Sequence, residues 1–284
     1  MSGQHEFLGS RQRYQLFTAL KYLVYALLTF NVYLFLQEEL GALEHTFTQS
    51  LAPGQVIQVF SATIDTAAWV ILLLLFELET SVLDDSKIHG VVKWLLHGVR
   101  GICYVAVGYA FTGYYAELVT LYQTTALGVA DLCSSAYEGW SYLVDIDEYL
   151  PITSESCGAL TGEIYRISQF DIVGDSQTLQ SARYLAWVDV FNSAAWILVV
   201  IVLEVEVRLQ LRGALSAQIM RISKWIKLTL YSTLFLAAAY WGYAGDFLDF
   251  WDASLWLFAF IFIELNVFEW QYETSSLPET TAAQ

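Results

Sequence analysis

The sequence predicts an all-α integral membrane protein. Six transmembrane helices form three tandem helical hairpins with an internal pseudo-repeat, and a capping extracytoplasmic segment is added. Three observations predict this plan. The chain of 284 residues is 56% hydrophobic and only 15% charged, where a soluble domain carries about 25% charged residues. Its apolar residues fall into runs near the roughly 20 residues that cross a bilayer. One skeleton also occurs three times, as Asp65-x3-Trp69-x7-Glu77-x-Glu79, Asn192-x3-Trp196-x7-Glu204-x-Glu206 and Asp252-x3-Trp256-x7-Glu264-x-Asn266. Each copy is an apolar run with a polar group near its start and acids at its end. We read the copies as the second helices of the three hairpins.

In chain order, residues 1–14 form a polar cytoplasmic tail with Arg11 and Arg13. The first span, 15–37, is too long for a cleavable signal and lacks a small-residue cleavage site. A loop at 38–55 leads to the second span, 56–80, and Asp84 to Gly90 form a polar turn. The third span, 91–115, ends in aromatic residues suited to a membrane interface. Transmembrane helices 1–3 thus occupy 15–115. The segment 116–182 is the long non-membrane stretch, read as an outer cap. Within it, Leu118 to Leu150 reads as an amphipathic helix and the remainder as loop with a short strand or helix. Transmembrane helices 4–6 occupy 183–272, and 273–284 form a polar, disordered cytoplasmic tail. Small residues at Gly101, Gly108, Gly113, Ala237 to Ala239 and Gly242 are candidates for close helix packing.

Charge sets the orientation. Of the 13 lysines and arginines, eleven fall on one side of the predicted spans, and only Arg166 and Arg183 fall on the other. The positive-inside rule places both termini in the cytoplasm, as an even number of spans requires. The outer side collects fifteen acids. A net charge of −16 argues against nucleic acid, which needs a basic footprint. The expected partners are the lipid bilayer, cations or protons, and a second copy of the chain or other membrane subunits. The absence of an Asn-x-Ser/Thr sequon leans towards a bacterial inner membrane. Cys133 and Cys157 share the outer segment, where a disulfide is chemically allowed, although two free thiols are the alternative. The histidines are scattered and no catalytic or nucleotide fingerprint is present, so neither a cofactor nor an enzyme activity is expected.

Two polar tiers carry the chemistry. Asp65, Asn192 and Asp252, with Asp189 one turn before Asn192, lie about 18 Å along the helix from the terminal glutamates. An ionisable group at that depth is a site by default, since it needs a partner, water or a proton. It also reads as an interhelical hydrogen bond that holds the bundle together. The inner acidic tier is Glu77, Glu79, Glu204, Glu206 and Glu264. Lys21, Lys93 and Lys224 open the odd-numbered spans at the same level, and Arg100 follows Lys93 by two turns. These groups read either as ion-pair clasps or as the lower part of a path. The expectation is a proton- or cation-conducting channel or transporter. The alternative is a non-catalytic scaffold or accessory subunit of a larger membrane complex.

Overall fold

The computed structural model describes residues 11–46, 56–83, 89–128, 132–134, 137–158, 160, 162–168, 170–212 and 216–276. The chain is mostly helical. The long helices are α1 (Arg11–Thr46), α2 (Ser61–Glu77), α3 (Gly90–Tyr122), α4 (Ser176–Leu211), α5 (Ala217–Ala244) and α6 (Phe247–Ser276). A short turn, Val56–Val59, precedes α2, and a π turn, Leu78–Val82, ends it. Among the described residues, four segments are long and apolar enough to cross a membrane: Gln15–Thr46, Ser61–Thr80, Gly90–Tyr122 and Ser176–Glu206. Helices α5 and α6 have comparable length but fall outside that set. Helix α5 carries Arg221, Lys224 and Lys227 in its first turns and many hydroxyl-bearing residues after them.

Local chemistry explains the helix ends. Asp175 Oδ1 accepts the Thr178 amide at 2.8 Å, capping α4 directly at the end of a strand. Ser216 caps α5 by accepting from the Ile219 amide. Gly245 then stops α5 in the left-handed region, at φ 98°, with its amide on the Trp241 carbonyl at 3.0 Å. Glycine adopts that conformation without a Cβ penalty. Phe60, before α2, has no side chain able to cap. Glu39 of α1 does this work from outside the helix. Its carboxylate accepts the Ala62 amide at 2.8 Å and also takes the Thr63 amide and hydroxyl.

The helices close into a ring in sequence order. Each packs on the next, and α6 returns to pack on α1. Leu28 and Val199, both fully buried, belong to the inner core of this ring, with Val70, Leu73 and Ala259. Gly113 lets α3 approach the Val56–Val59 turn closely, because a Cβ there would lie 2.5 Å from the Ile57 carbonyl oxygen. Gly101 and Gly108 have no atom within 4 Å of a built Cβ, so the packing role expected of them is not theirs.

The all-α expectation needs correction in the cap. Residues 116–182 hold the end of α3, five short strands and the start of α4. The strands are β1 (Thr124–Gly128), β2 (Ser141–Leu143), β3 (Tyr149–Pro151), β4 (Ile164–Ile167) and β5 (Ile172–Asp175). They form one sheet in the order β1-β4-β5-β2-β3, antiparallel except for the β2–β5 pair. No amphipathic helix covers Leu118 to Leu150. Left-handed glycines at Gly128, Gly139 and Gly162 break up the segment. Ile167 and Ile172 bury one face of the sheet against the helices, and Ile164 and Val173 bury the other with Leu132 and Cys157. Cys133 and Cys157 form a disulfide with their Cα atoms 5.1 Å apart.

Other boundaries shift as well. Helix α1 runs through Thr46, so the expected loop at 38–55 is helical in its first half. Helix α3 extends to Tyr122, α4 starts at Ser176, and α6 runs to Ser276, past the expected start of the tail. Residues 1–10, 84–88 and 277–284 lie outside the described residues. The cap leaves α3 and rejoins α4 at one place. Arg183 Nε donates to the Leu121 carbonyl at 2.9 Å, and the Arg183 guanidinium lies 4.7 Å over the Tyr122 ring. Trp187 donates to the Tyr122 hydroxyl at 3.2 Å.

Candidate functional site

The three signature tryptophans sit on alternate helices of the ring, and they meet inside it. Trp196 of α4 lies 6.0 Å from Trp69 of α2 and 6.0 Å from Trp256 of α6, ring centre to ring centre. Phe260, one turn beyond Trp256, is 4.8 Å from Trp196. Asp65, Asn192 and Asp252 stand one turn before their respective tryptophans. They are carried into the same space, a cavity of about 40 Å³ to which all six helices contribute. A second cavity of about 100 Å³ lies towards the cap. Phe35, Tyr114, Asn192, Trp241 and Asp249 line both, so the two spaces share walls. One water needs roughly 10–15 Å³ on such a measure, so each cavity has room for several.

Carboxyl groups dominate the lining. Asp65, Asp249 and Asp252 face the smaller cavity. Glu38, Glu39, Glu117, Asp147, Asp189 and again Asp249 face the larger one. Among the described residues, no lysine, arginine or histidine lines either cavity. Some of these acids are satisfied by neighbours. Asn31, fully buried on α1, donates to Asp252 Oδ1 at 2.7 Å. Trp241 Nε1 donates to Asp189 Oδ1 at 3.2 Å. Glu39 is engaged in capping α2. Asp65 differs. It is buried, and its Oδ1 has no hydrogen-bond partner. The Trp69 Nε1 donor and the Asn31 Oδ1 acceptor are also without partners.

Asp147 reaches the larger cavity from the cap. Burial pushes its carboxyl up to about 7, and the nearby Asp246 and Asp145 add to the shift. Asp145 is raised by burial and by Asp246 and Glu148, while the Ile146 amide on its oxygen pulls the other way. Burial holds the Tyr149 hydroxyl well above its usual range, helped by Glu117 and Asp147. The cap end of the chamber therefore holds acids that stay protonated further up the pH scale than free carboxyls do.

The inner tier is arranged differently from the outer one. Lys21 Nζ donates to Glu77 Oε1 at 2.6 Å with both side chains buried, and the Tyr22 and Tyr25 hydroxyls add to the same carboxylate. Glu79 pairs with Arg100 at 2.6 Å. Glu77 and Glu79 are two residues apart, about 200° around a helix, so they reach opposite neighbours, α1 and α3. Glu206 pairs with Lys227 at 2.7 Å, and Glu204 with Arg208 on the surface at 2.8 Å. These groups are clasps between or along helices, and none lines either cavity. Lys93 and Lys224, expected as partners, are exposed. Each lies nearer its helix start than the cation that makes the pair, Lys93 by two turns and Lys224 by about one. The side chain of Glu264 lies outside the described residues.

Several groups of the site carry weak signals in the sequence. Asn31, which donates to Asp252, is an amide inside an apolar run, and that isolation is a usable signal. By position Glu38, Glu39, Glu117 and Asp249 look like outer-surface acids, because each flanks a predicted span end rather than interrupting a span, yet they line the cavities. Tyr114 and Trp241 lie near span ends, where aromatics suit an interface, and they too line both cavities. Among the described residues no group of histidine, cysteine, aspartate and glutamate is arranged to hold a metal ion. No family model, curated protein or solved structure matches the chain.

Proposed function

We propose that the chain is a six-span membrane protein that moves protons or small monovalent cations through the chamber inside its helix ring. The observation that carries this reading is the set of eight carboxyl side chains, drawn from five of the six helices and the cap, with no basic residue among the described residues of the lining. Buried carboxyls without counter-charges take up protons or cations, because an unpaired charge in a low-dielectric interior is costly. On this reading the three hairpins are related repeats whose second helices supply Asp65, Asn192 and Asp252 at equivalent places. The electronegative cap faces out and concentrates cations at the entrance. The termini lie in the cytoplasm, and the setting is a bacterial inner membrane.

The paired inner tier fits a closed cytoplasmic end. Lys21–Glu77, Arg100–Glu79 and Lys227–Glu206 would have to separate for ions to leave there, so a gated transporter is favoured over an open pore. The test is flux in liposomes. The purified protein is reconstituted with an internal pH or cation reporter and compared with Asp65→Asn, Asp252→Asn and the double variant. We expect at least a tenfold loss of flux in the double variant. No flux by the native protein, or equal flux by the double variant, overturns the reading and leaves the scaffold or accessory subunit in its place.

A further inference from the structure

We infer that the smaller chamber, walled by Trp69, Trp196 and Trp256, binds a small N–H-bearing cation of the ammonium class. The inference rests on the cation-path reading and specifies the ion. The first argument is the hydrogen-bond inventory. Asp65 Oδ1 is an acceptor without a partner, on a residue that is 7% exposed and lines the chamber. Asp252, in the same lining, takes the Asn31 amide on its Oδ1. An orphan acceptor in a buried site calls for a ligand that donates. Ammonium and primary alkylammonium ions present several N–H donors and nothing that must be accepted.

The second argument is the wall. Trp196 is flanked by Trp69 and Trp256 at 6.0 Å each, and these three with Trp241 line the chamber. Aromatic faces attract ammonium-type cations through the ring quadrupole. Hard metal ions gain far less there, because they need six or more oxygen ligands, and no metal-holding group of acids is found among the described residues. The third argument is size. A cavity of about 40 Å³ takes a few water-sized centres, which admits ammonium or methylammonium. The fourth is charge. Asp65 and Asp252 have no basic residue beside them among the described residues of the lining, so a cation supplies what the chamber lacks.

The test uses the full chain in detergent micelles at constant pH and ionic strength, read by its own tryptophan fluorescence. Ammonium chloride and methylammonium chloride are titrated against sodium, magnesium and tetramethylammonium chlorides. A saturable signal is expected for the first two, at least tenfold weaker for the others, and weakened at least tenfold by Asp65→Asn. Asp252→Asn serves as the second variant, and both are checked for folding by circular dichroism and gel filtration. No saturable response, an equal response to sodium, or a response unchanged in both folded variants overturns the inference. Saturable binding without liposome flux upholds the site and overturns transport. Proton flux without an ammonium response upholds transport and overturns the site.

Discussion

Lys21 and Glu77 are two opposite charges buried together, with exposures of 6% and 5%. Their mutual attraction offsets a large desolvation cost, and removing one partner leaves the other stranded. We therefore expect Lys21→Met to lower stability by about 3–5 kcal/mol, measured as denaturant unfolding in detergent. Adding Glu77→Leu to it should recover most of that loss. If Lys21→Met alone is harmless, the pair is not a clasp. This pair was readable in the sequence, since both residues interrupt apolar runs at matching depth. So were Asp65, Asn192 and Asp252, for the same reason and through the repeated spacing to tryptophan. Their partners were not readable. Asn31 meets Asp252 across 221 positions of sequence, and no local pattern encodes so distant a contact. The choice of Arg100 and Lys227 over Lys93 and Lys224 likewise depends on where along each neighbour the glutamate ends, which is a property of the packed bundle.

At the scale of elements, the start of α2 depends on a residue of another helix. Phe60 offers no capping oxygen, and Glu39 supplies one to the first turn, where the helix dipole also favours an anion. We expect Glu39→Ala to cost about 0.5–2 kcal/mol and to speed hydrogen exchange at the Ala62 and Thr63 amides selectively. Exchange that is unchanged there would show that α2 is capped in another way. The long helices were legible because apolar runs of this length have few alternatives. Their ends were less so. Glu38, Glu39 and Glu44 look like loop residues by charge, yet α1 carries them onward because Glu39 and the cap give that extension partners. The strands of the cap were hidden for a different reason. Each has three to five residues, too few for alternation to register. The sheet is assembled from segments far apart in sequence, with β2 beside β5.

For the whole molecule, the ring, the cap and the acids combine into a pH-dependent stability. The Asp147 carboxyl titrates near 7 in the fold and near 4 in an unfolded chain. The folded state thus holds a proton that the unfolded state releases. Stability is full below about pH 4, falls as pH rises towards 7, and is level above that. Asp145, shifted in the same direction by burial and by Asp246, adds to the slope. We expect Asp147→Asn to flatten the dependence of the unfolding midpoint between pH 4 and 7 and to raise stability at pH 8 relative to the native chain. An identical pH profile would show that Asp147 is hydrated in the fold.

The junction of cap and bundle has a further consequence. Because Arg183 ties α4 to the Leu121 carbonyl at the end of α3, the chain sets out from and returns to a single doorstep. The intervening sheet is in effect a cassette spliced into a helical hairpin. A short turn can bridge that doorstep without rerouting any helix, so insertion or deletion at this one site can exchange or discard the lid while the ring keeps its plan.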